Sequence, residues 1–298
     1  MEKIHLLLDT DIGSDIDDAV ALAYLLRQPN CELLGITTVT GEPEKRASLA
    51  DAVCRAGGRA NIPIHVGTEA PFLVPAKQPK ASQYEALNEK WPHCTFAKQN
   101  TAVQFLRDTI RALPHQVTLL AIGPLTNIAL LFALDPEIPG LLKQMVIMGG
   151  RFHTRGGAGE TSEWNIQCDP HAAARVFAAK IPRFTAVGLD VTEKCRMPAD
   201  ECRKKFTAAG GPLGMVGAMA EVWFRHSTQI TFHDPLAAAL IFAPELCRLE
   251  PYRVEVELES SKALGQTLLK QDGEKPHEIA VSVDADAFFK HYYGIVGG

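Results

Sequence analysis

Five aspartates crowd into ten residues near the start of the chain: Asp9, Asp11, Asp15, Asp17 and Asp18. Carboxylates this close repel one another. In a cleft of low effective dielectric they stay ionised only where a cation or hydrogen-bond donors neutralise them. Oxygen ligands in this number suit calcium or magnesium and not zinc. Acids at a helix start complement the helix dipole, which accounts for two of the five; the rest point to a metal site. An EF-hand loop is excluded. Counted from Asp9, glycine comes fifth, at Gly13, and the twelfth residue is Val20, whereas that loop needs glycine sixth and glutamate twelfth.

The cluster has to be held by its flanks. Ile4 to Leu8 is an apolar run that reads as a buried strand, and Ala19 to Leu26 carries the apolar pattern of a helix packed on a sheet. Cys31 to Val39 reads as a second strand, a helix follows from about Glu44 to Ala56, and Ile62 to Val66 reads as a third strand. Strand, helix, strand, helix, strand is the alternation of a parallel, doubly wound sheet. In such a sheet a ligand sits beyond the carboxyl ends of the strands, and both the aspartates and Thr40 to Glu42 fall at that edge. Residues 68 to 98 carry four prolines and a mixed polar content, so this stretch reads as a loop long enough to act as a lid.

Further strands are expected at Val117 to Ile122, Met145 to Met148 and Arg183 to Leu189. The first runs into Gly123-Pro124-Leu125-Thr126-Asn127 and a helix; the last runs into Asp190-Val191-Thr192. Arg151 to Ser162 is glycine-rich but does not match G-x-G-x-x-G, which argues against a dinucleotide cofactor. Glu163-Trp164-Asn165 follows it. Pro198 to Phe206 and Pro212 to His226 read as helices, and His233-Asp234-Pro235 opens another apolar helix. Arg253 to Leu258, Gly265 to Leu269 and Glu278 to Val283 read as antiparallel strands before a last helix, Asp284 to Tyr293. The expected fold is α/β: a doubly wound, mostly parallel sheet flanked by helices, with a few antiparallel strands near the C-terminus. With no repeat and no Ser/Gly linker, residues 1–298 read as a single domain.

A net charge of −5 and the lack of a basic cluster argue against a nucleic-acid surface. The seven cysteines (31, 54, 94, 168, 195, 202 and 247) are scattered, without C-x-x-C spacing, and read as small core residues in a reducing compartment. Ala112 to Leu134 lacks acids and bases apart from His115, but its prolines, Asn127 and Gly123 make it strand, loop and helix and not a membrane span. The start of the chain fits no signal peptide. A cytoplasmic protein is expected.

The run Asp9–Leu22, DTDIGSDIDDAVAL, resembles the N-terminal signature of the nucleoside hydrolases of the inosine–uridine-preferring type. TTVTG, GPLTN, MGG, EWN, LDVT and HDPLA follow in the order of that family over nearly the whole chain. The resemblance implies a calcium ion held by Asp11, Asp18, Asp234 and the carbonyl of Ile122. It implies hydrolysis of the bond between ribose and base through an oxocarbenium-like transition state. Asp11 is then the general base. Asp17, Asn165 and Glu42 would hold sugar hydroxyls, with Glu163 at the 5′ side. His233 would face the base and is the first choice of leaving-group acid, since histidine titrates near neutral pH. Trp223, Arg225, His226 and Glu221 are further candidates for the base pocket. The family resemblance also implies a homodimer or homotetramer acting on a small ribonucleoside.

Several features depart from the family pattern: two extra residues before Asp17-Asp18, Glu42 where asparagine is usual, no counterpart of the glycine-rich loop's asparagine, and no His-Gly after the third strand. Two other functions compete. Asp9-Thr10-Asp11 after a strand also suits a haloacid-dehalogenase-type phosphatase with Asp9 as nucleophile, although no later Asp-Asp motif supports it. A non-catalytic nucleoside or sugar binder is the other.

Overall fold

The computed structural model describes residues 3–153, 162–270 and 272–297. The stretch 154–161, where the glycine-rich loop and its missing asparagine were placed, lies outside them. Among the described residues the strands are β1 (Ile4–Thr10), β2 (Cys31–Thr38), β3 (Ile64–Val66), β4 (Val117–Ala121), β5 (Gln144–Met148), β6 (Phe184–Val187), β7 (Arg196–Pro198), β8 (Gln229–Thr231), β9 (Cys247–Val256), β10 (Thr267–Lys270) and β11 (His277–Val283). Nine of them form one sheet in the order β10-β9-β11-β6-β5-β4-β1-β2-β3, and β7 and β8 pair separately as an antiparallel ribbon.

β1 to β6 run parallel, and β11 is parallel to β6 but antiparallel to β9, which in turn is antiparallel to β10. The C-terminal strands therefore extend the sheet, and β11 joins the parallel set on one side. The other departures are local. β6 stops at Val187 because Gly188 starts a short helix, Leu189–Thr192. β7 and β8, three residues each, are too short to show alternation in sequence.

Alternate residues of β1 feed two cores. Leu6 and Leu8 pack on one face with the helices Asp17–Arg27, Pro43–Ala56, Pro212–Trp223, His233–Leu240 and Ala285–Val296. Leu7 packs on the other with Ala102–Ala112, Thr126–Leu134 and Pro170–Phe177. Helices on both faces make the sheet doubly wound, and β1, covered on both, reads as an unbroken apolar run. A buried leucine contributes about 1.5–3 kcal/mol, so the helix Asp17–Arg27, buried from Asp17 to Leu26, is a main anchor of the first core. Its Ala- and Leu-rich interior favours helix, and Pro29 prevents continuation.

From β1 the chain builds outward through β2 and β3, then returns to lay β4 on the other side of β1. The order of winding reverses between β1 and β4, so the crevice at their carboxyl ends is where an open α/β sheet offers a site. All seven cysteines are free thiols, and six are buried; only Cys94 is exposed. Among the described residues no helix is long and apolar enough to cross a membrane.

Candidate active site

A cavity of about 620 Å³ opens at that crevice. Asp11 enters it from the end of β1, Asp17 and Asp18 from the first turn of Asp17–Arg27, and Asp234 from the first turn of His233–Leu240. Two helix N-termini thus converge on the same acids, and their dipoles favour negative charge there. The backbone N–H of Asp234 donates to Asp17 Oδ2 at 3.1 Å. Thr10 Oγ1 and the backbone N–H of Asp11 donate to Asp18 Oδ1, at 2.5 and 3.2 Å.

Carboxylate oxygens of Asp17, Asp18 and Asp234 lie within 4.8 Å of one another. Burial pushes all three well above the usual carboxylate range, and their mutual repulsion adds to it. Three buried, all-oxygen donors that cannot share one small volume as anions without a counter-charge fit a hard divalent cation. Two of the expected ligands, Asp18 and Asp234, are in this triad, and Asp17, expected to hold sugar, completes it.

Asp11 and the Ile122 carbonyl line the same cavity but are differently engaged. Asp11 Oδ2 accepts from Gln78 Nε2, and the Ile122 carbonyl accepts from Asn165 Nδ2 at 2.8 Å. Burial raises Asp11 against the opposing pull of Arg46. The other oxygen of Asp11, Oδ1, faces Gly123, where an added Cβ would come within 2.8 Å of it. GPLTN therefore matters here for the side chain its first residue lacks.

Glu163 and Asn165 form the far wall. Glu163 caps Trp164–Cys168, accepting from the backbone N–H groups of Asn165, Ile166 and Gly150 at 2.7, 3.1 and 3.2 Å. Burial nevertheless pushes its carboxyl up to about 7. Asn165 also donates to Met148 O at 3.2 Å, so its amide ties the ends of β4 and β5 together. Trp164 stands at the rim, 49% exposed.

His233 lines the cavity with its Nδ1 2.7 Å from Thr192 Oγ1. Burial, with Arg196 adding to it, pushes its imidazole down to about 4. That lies below the near-neutral range in which an unperturbed histidine titrates. Trp223 lines the cavity, whereas Arg225 pairs with Glu85 and Glu221 with Arg203, and His226 does not reach it.

Glu42 was expected to hold a sugar hydroxyl. It does not line the cavity. It is held at φ 57°, and its carboxylate accepts from Lys45 Nζ at 2.6 Å and from the backbone N–H of Ala81 at 3.0 Å. The phosphatase reading also fails on geometry. Asp9 is fully buried and off the cavity wall, with Oδ1 accepting from Thr37 Oγ1 and Asn127 Nδ2 at 2.5 and 2.8 Å, so no phosphate ester reaches it.

Sequence reasoning passed over Gln78, Ser14, Lys80 and Ser82, which line the cavity, and Arg46 behind it. Arg46 is wholly buried; it donates to the carbonyls of Gly41, Asp11, Ile12 and Lys80 and to Ser14 Oγ. Gln78, Lys80 and Ser82 carry no motif or periodicity, Ser14 lies within the aspartate run but is not one of its acids, and Arg46 is of a type that normally faces solvent.

The family model described as inosine-uridine preferring nucleoside hydrolase matches residues 6–290. The chain belongs to this family. A non-specific ribonucleoside hydrolase RihC of Klebsiella pneumoniae (strain 342) is 33% identical over 296 residues, covering 95% of this chain and 94% of the relative. The RihC of Escherichia coli (strain SMS-3-5 / SECEC) is 34% identical over 297 residues, with 95% and 94% covered. Among solved structures, the inosine-uridine preferring nucleoside hydrolase of Bacillus anthracis superposes with a TM-score of 0.80 at 25% identity, over 100% of this chain and 99% of that one. A purine-preferring ribonucleoside hydrolase from Gardnerella vaginalis shares the fold at a TM-score of 0.85. The nucleoside hydrolase family is a family of enzymes, and membership removes the phosphatase alternative.

Proposed function

We propose that this nucleoside hydrolase cleaves the N-glycosidic bond of ribonucleosides with the help of calcium, giving ribose and the free base. The observation that carries this reading is the triad Asp17, Asp18 and Asp234 opening into the same cavity as Asp11, Glu163 and Asn165. Asp17, Asp18 and Asp234 would hold the cation, with Asp11, through the oxygen that Gln78 does not occupy, and the Ile122 carbonyl as further oxygen donors. When bound, calcium supplies positive charge that neutralises the acids and polarises a water and the sugar hydroxyls.

Asp11, at the end of β1, would take a proton from water on the face of the sugar away from the base. Glu163, fixed by three backbone donors, offers an acceptor to the 5′ side, and Asn165 is oriented by two carbonyls toward the sugar. Grip on hydroxyls favours ribosides over deoxyribosides, because a missing hydroxyl leaves buried polar groups unpaired. His233 serves as a neutral hydrogen-bond partner of the base, beside Trp223. We further read residues 1–298 as one domain, and the enzyme as a cytoplasmic homodimer or homotetramer that binds neither nucleic acid nor membrane.

The test is a reducing-sugar assay with inosine, uridine, cytidine and adenosine, run with calcium and with a chelator. Ribose is expected only with calcium, and Asp11→Ala should lower kcat by about 10³-fold, the scale of a lost general base. Asp234→Ala should abolish the calcium dependence together with activity. No ribose from any of the four, with folded protein and calcium present, would sink the reading.

A further inference from the structure

The loop between β3 and the helix Ala102–Ala112 does not hang free over the cavity. Ser14 Oγ and Arg46 Nη2 both donate to Lys80 O at 3.2 Å. The backbone N–H of Gln83 donates to Gly13 O, and Gln83 Nε2 to Ser14 O, each at 3.0 Å. Residues 80–83 are thus stapled to the aspartate loop. Gly41 permits the close approach, since a Cβ there would lie 2.5 Å from Gln78 O.

Beside this stapled stretch, Gln78 reaches into the cavity and is only 8% exposed. Its Nε2 donates to Asp11 Oδ2, and its Oε1 accepts from Trp164 Nε1 at 2.5 Å. The amide can sit only one way round: reversed, it would set its oxygen against a carboxylate and its NH₂ against the indole N–H. The amide occupies Asp11 Oδ2 and leaves Oδ1 beside Gly123. A single side chain therefore ties the acid on which the proposed chemistry depends to an aromatic ring at the rim.

We propose that Gln78 is a latch: an internal competitor that holds Asp11 and Trp164 together across the cavity and must be exchanged for the sugar hydroxyls when a nucleoside binds. A hydroxyl is a fit replacement, because it can donate to the Asp11 carboxylate while accepting from the Trp164 indole. The inference rests on the ribonucleoside-hydrolase reading for the identity of the incoming group. A site that is mostly latched shows weakened apparent affinity in proportion to its open fraction. Releasing a hydrogen bond to a charged group of this kind shifts that fraction by about tenfold.

The experiment uses the full chain with calcium and two variants, Gln78→Ala and Gln78→Asn, whose side chains are too short to bridge both partners. KM for inosine and uridine is read from ribose release, and trypsin cleavage after the exposed Lys77 is timed on the unliganded proteins. The latch predicts that both variants lower KM by about tenfold and are cut faster than the parent. A KM that rises in Gln78→Ala and recovers in Gln78→Asn would make Gln78 a substrate contact and overturn the latch. An unchanged KM would overturn it equally. Should the parent release no ribose from any nucleoside, the hydrolase reading fails by itself. The trypsin arm then decides: faster cleavage of the variants upholds the latch, and unchanged cleavage overturns it.

Discussion

Asp9 keeps Oδ2 in the interior without a partner, although Thr37 and Asn127 satisfy its other oxygen. Burial pushes this carboxyl up to about 7; the same cause lifts Asp15 to about 6 and Glu163 to about 7. In an unfolded chain such groups ionise near pH 4. Their folded values are raised, so the folded state holds its protons longer than the unfolded state. That difference stabilises the fold below about pH 4 and is lost progressively as pH rises through 6 to 7. In chelator-treated protein the melting temperature is therefore expected to fall between pH 5 and pH 7.5, and calcium should restore it most at the upper end. Calorimetric scans across that range check this; a chelated protein that melts higher at pH 7.5 than at pH 5 would contradict the assignment of charge in the cavity.

At the level of elements, the turn from β2 into Pro43–Ala56 does two jobs. Glu42 sits in the left-handed region, which costs a non-glycine residue about 1 kcal/mol or more. Its carboxylate meets the backbone N–H of Ala81, on the segment stapled beside the cavity. Glu42→Gln keeps the shape but removes the charge, and the Ala81 amide is expected to exchange with solvent about tenfold faster, the worth of a charge-assisted bond. Hydrogen-exchange mass spectrometry over residues 78–83 reads this directly, and unchanged protection there would show that Glu42 is not what holds the loop.

This element also shows what sequence could and could not reveal. β1, its helix and the aspartates between them were legible because one apolar run and one helical pattern bracket a charge density that has no bland explanation. Asp234 was legible from HDPLA and its resemblance. That Glu42 turns toward Ala81 and away from the cavity was not legible, because sequence locates the end of a strand but not which way a residue at positive φ points its side chain. Asp17 and Asp18 are adjacent in the motif, and only the first turn of the helix decides that Asp17 also faces Asp234. Gln78 was invisible for a different reason: a loop without periodicity carries no signal of which residue turns inward. Arg46 was missed because arginine is normally solvated, and here each of its three side-chain nitrogens donates to an oxygen of the surrounding loops.

On the scale of the whole molecule, the sheet gathers negative charge at one edge. Asp11, Asp15, Asp17, Asp18, Asp234 and Glu163 all line a single cavity in a chain whose net charge is −5. One divalent cation and Lys80, also on the wall, offset only part of this, and Arg46, facing away toward carbonyls, is not presented to a ligand. The surplus has a consequence for which metabolites gain entry. A nucleotide carries a phosphate where a nucleoside carries a hydroxyl, and that phosphate would have to come to rest beside Glu163. Like charges brought together in a poorly solvated space cost several kcal/mol, so inosine should be preferred over its 5′-monophosphate by about a hundredfold or more in kcat/KM. Comparable rates on the two would show that the surplus is neutralised in the working enzyme. If the preference holds, the crowded acids that assemble the centre also sort phosphorylated from free sugars, with no element of the fold set aside for the task.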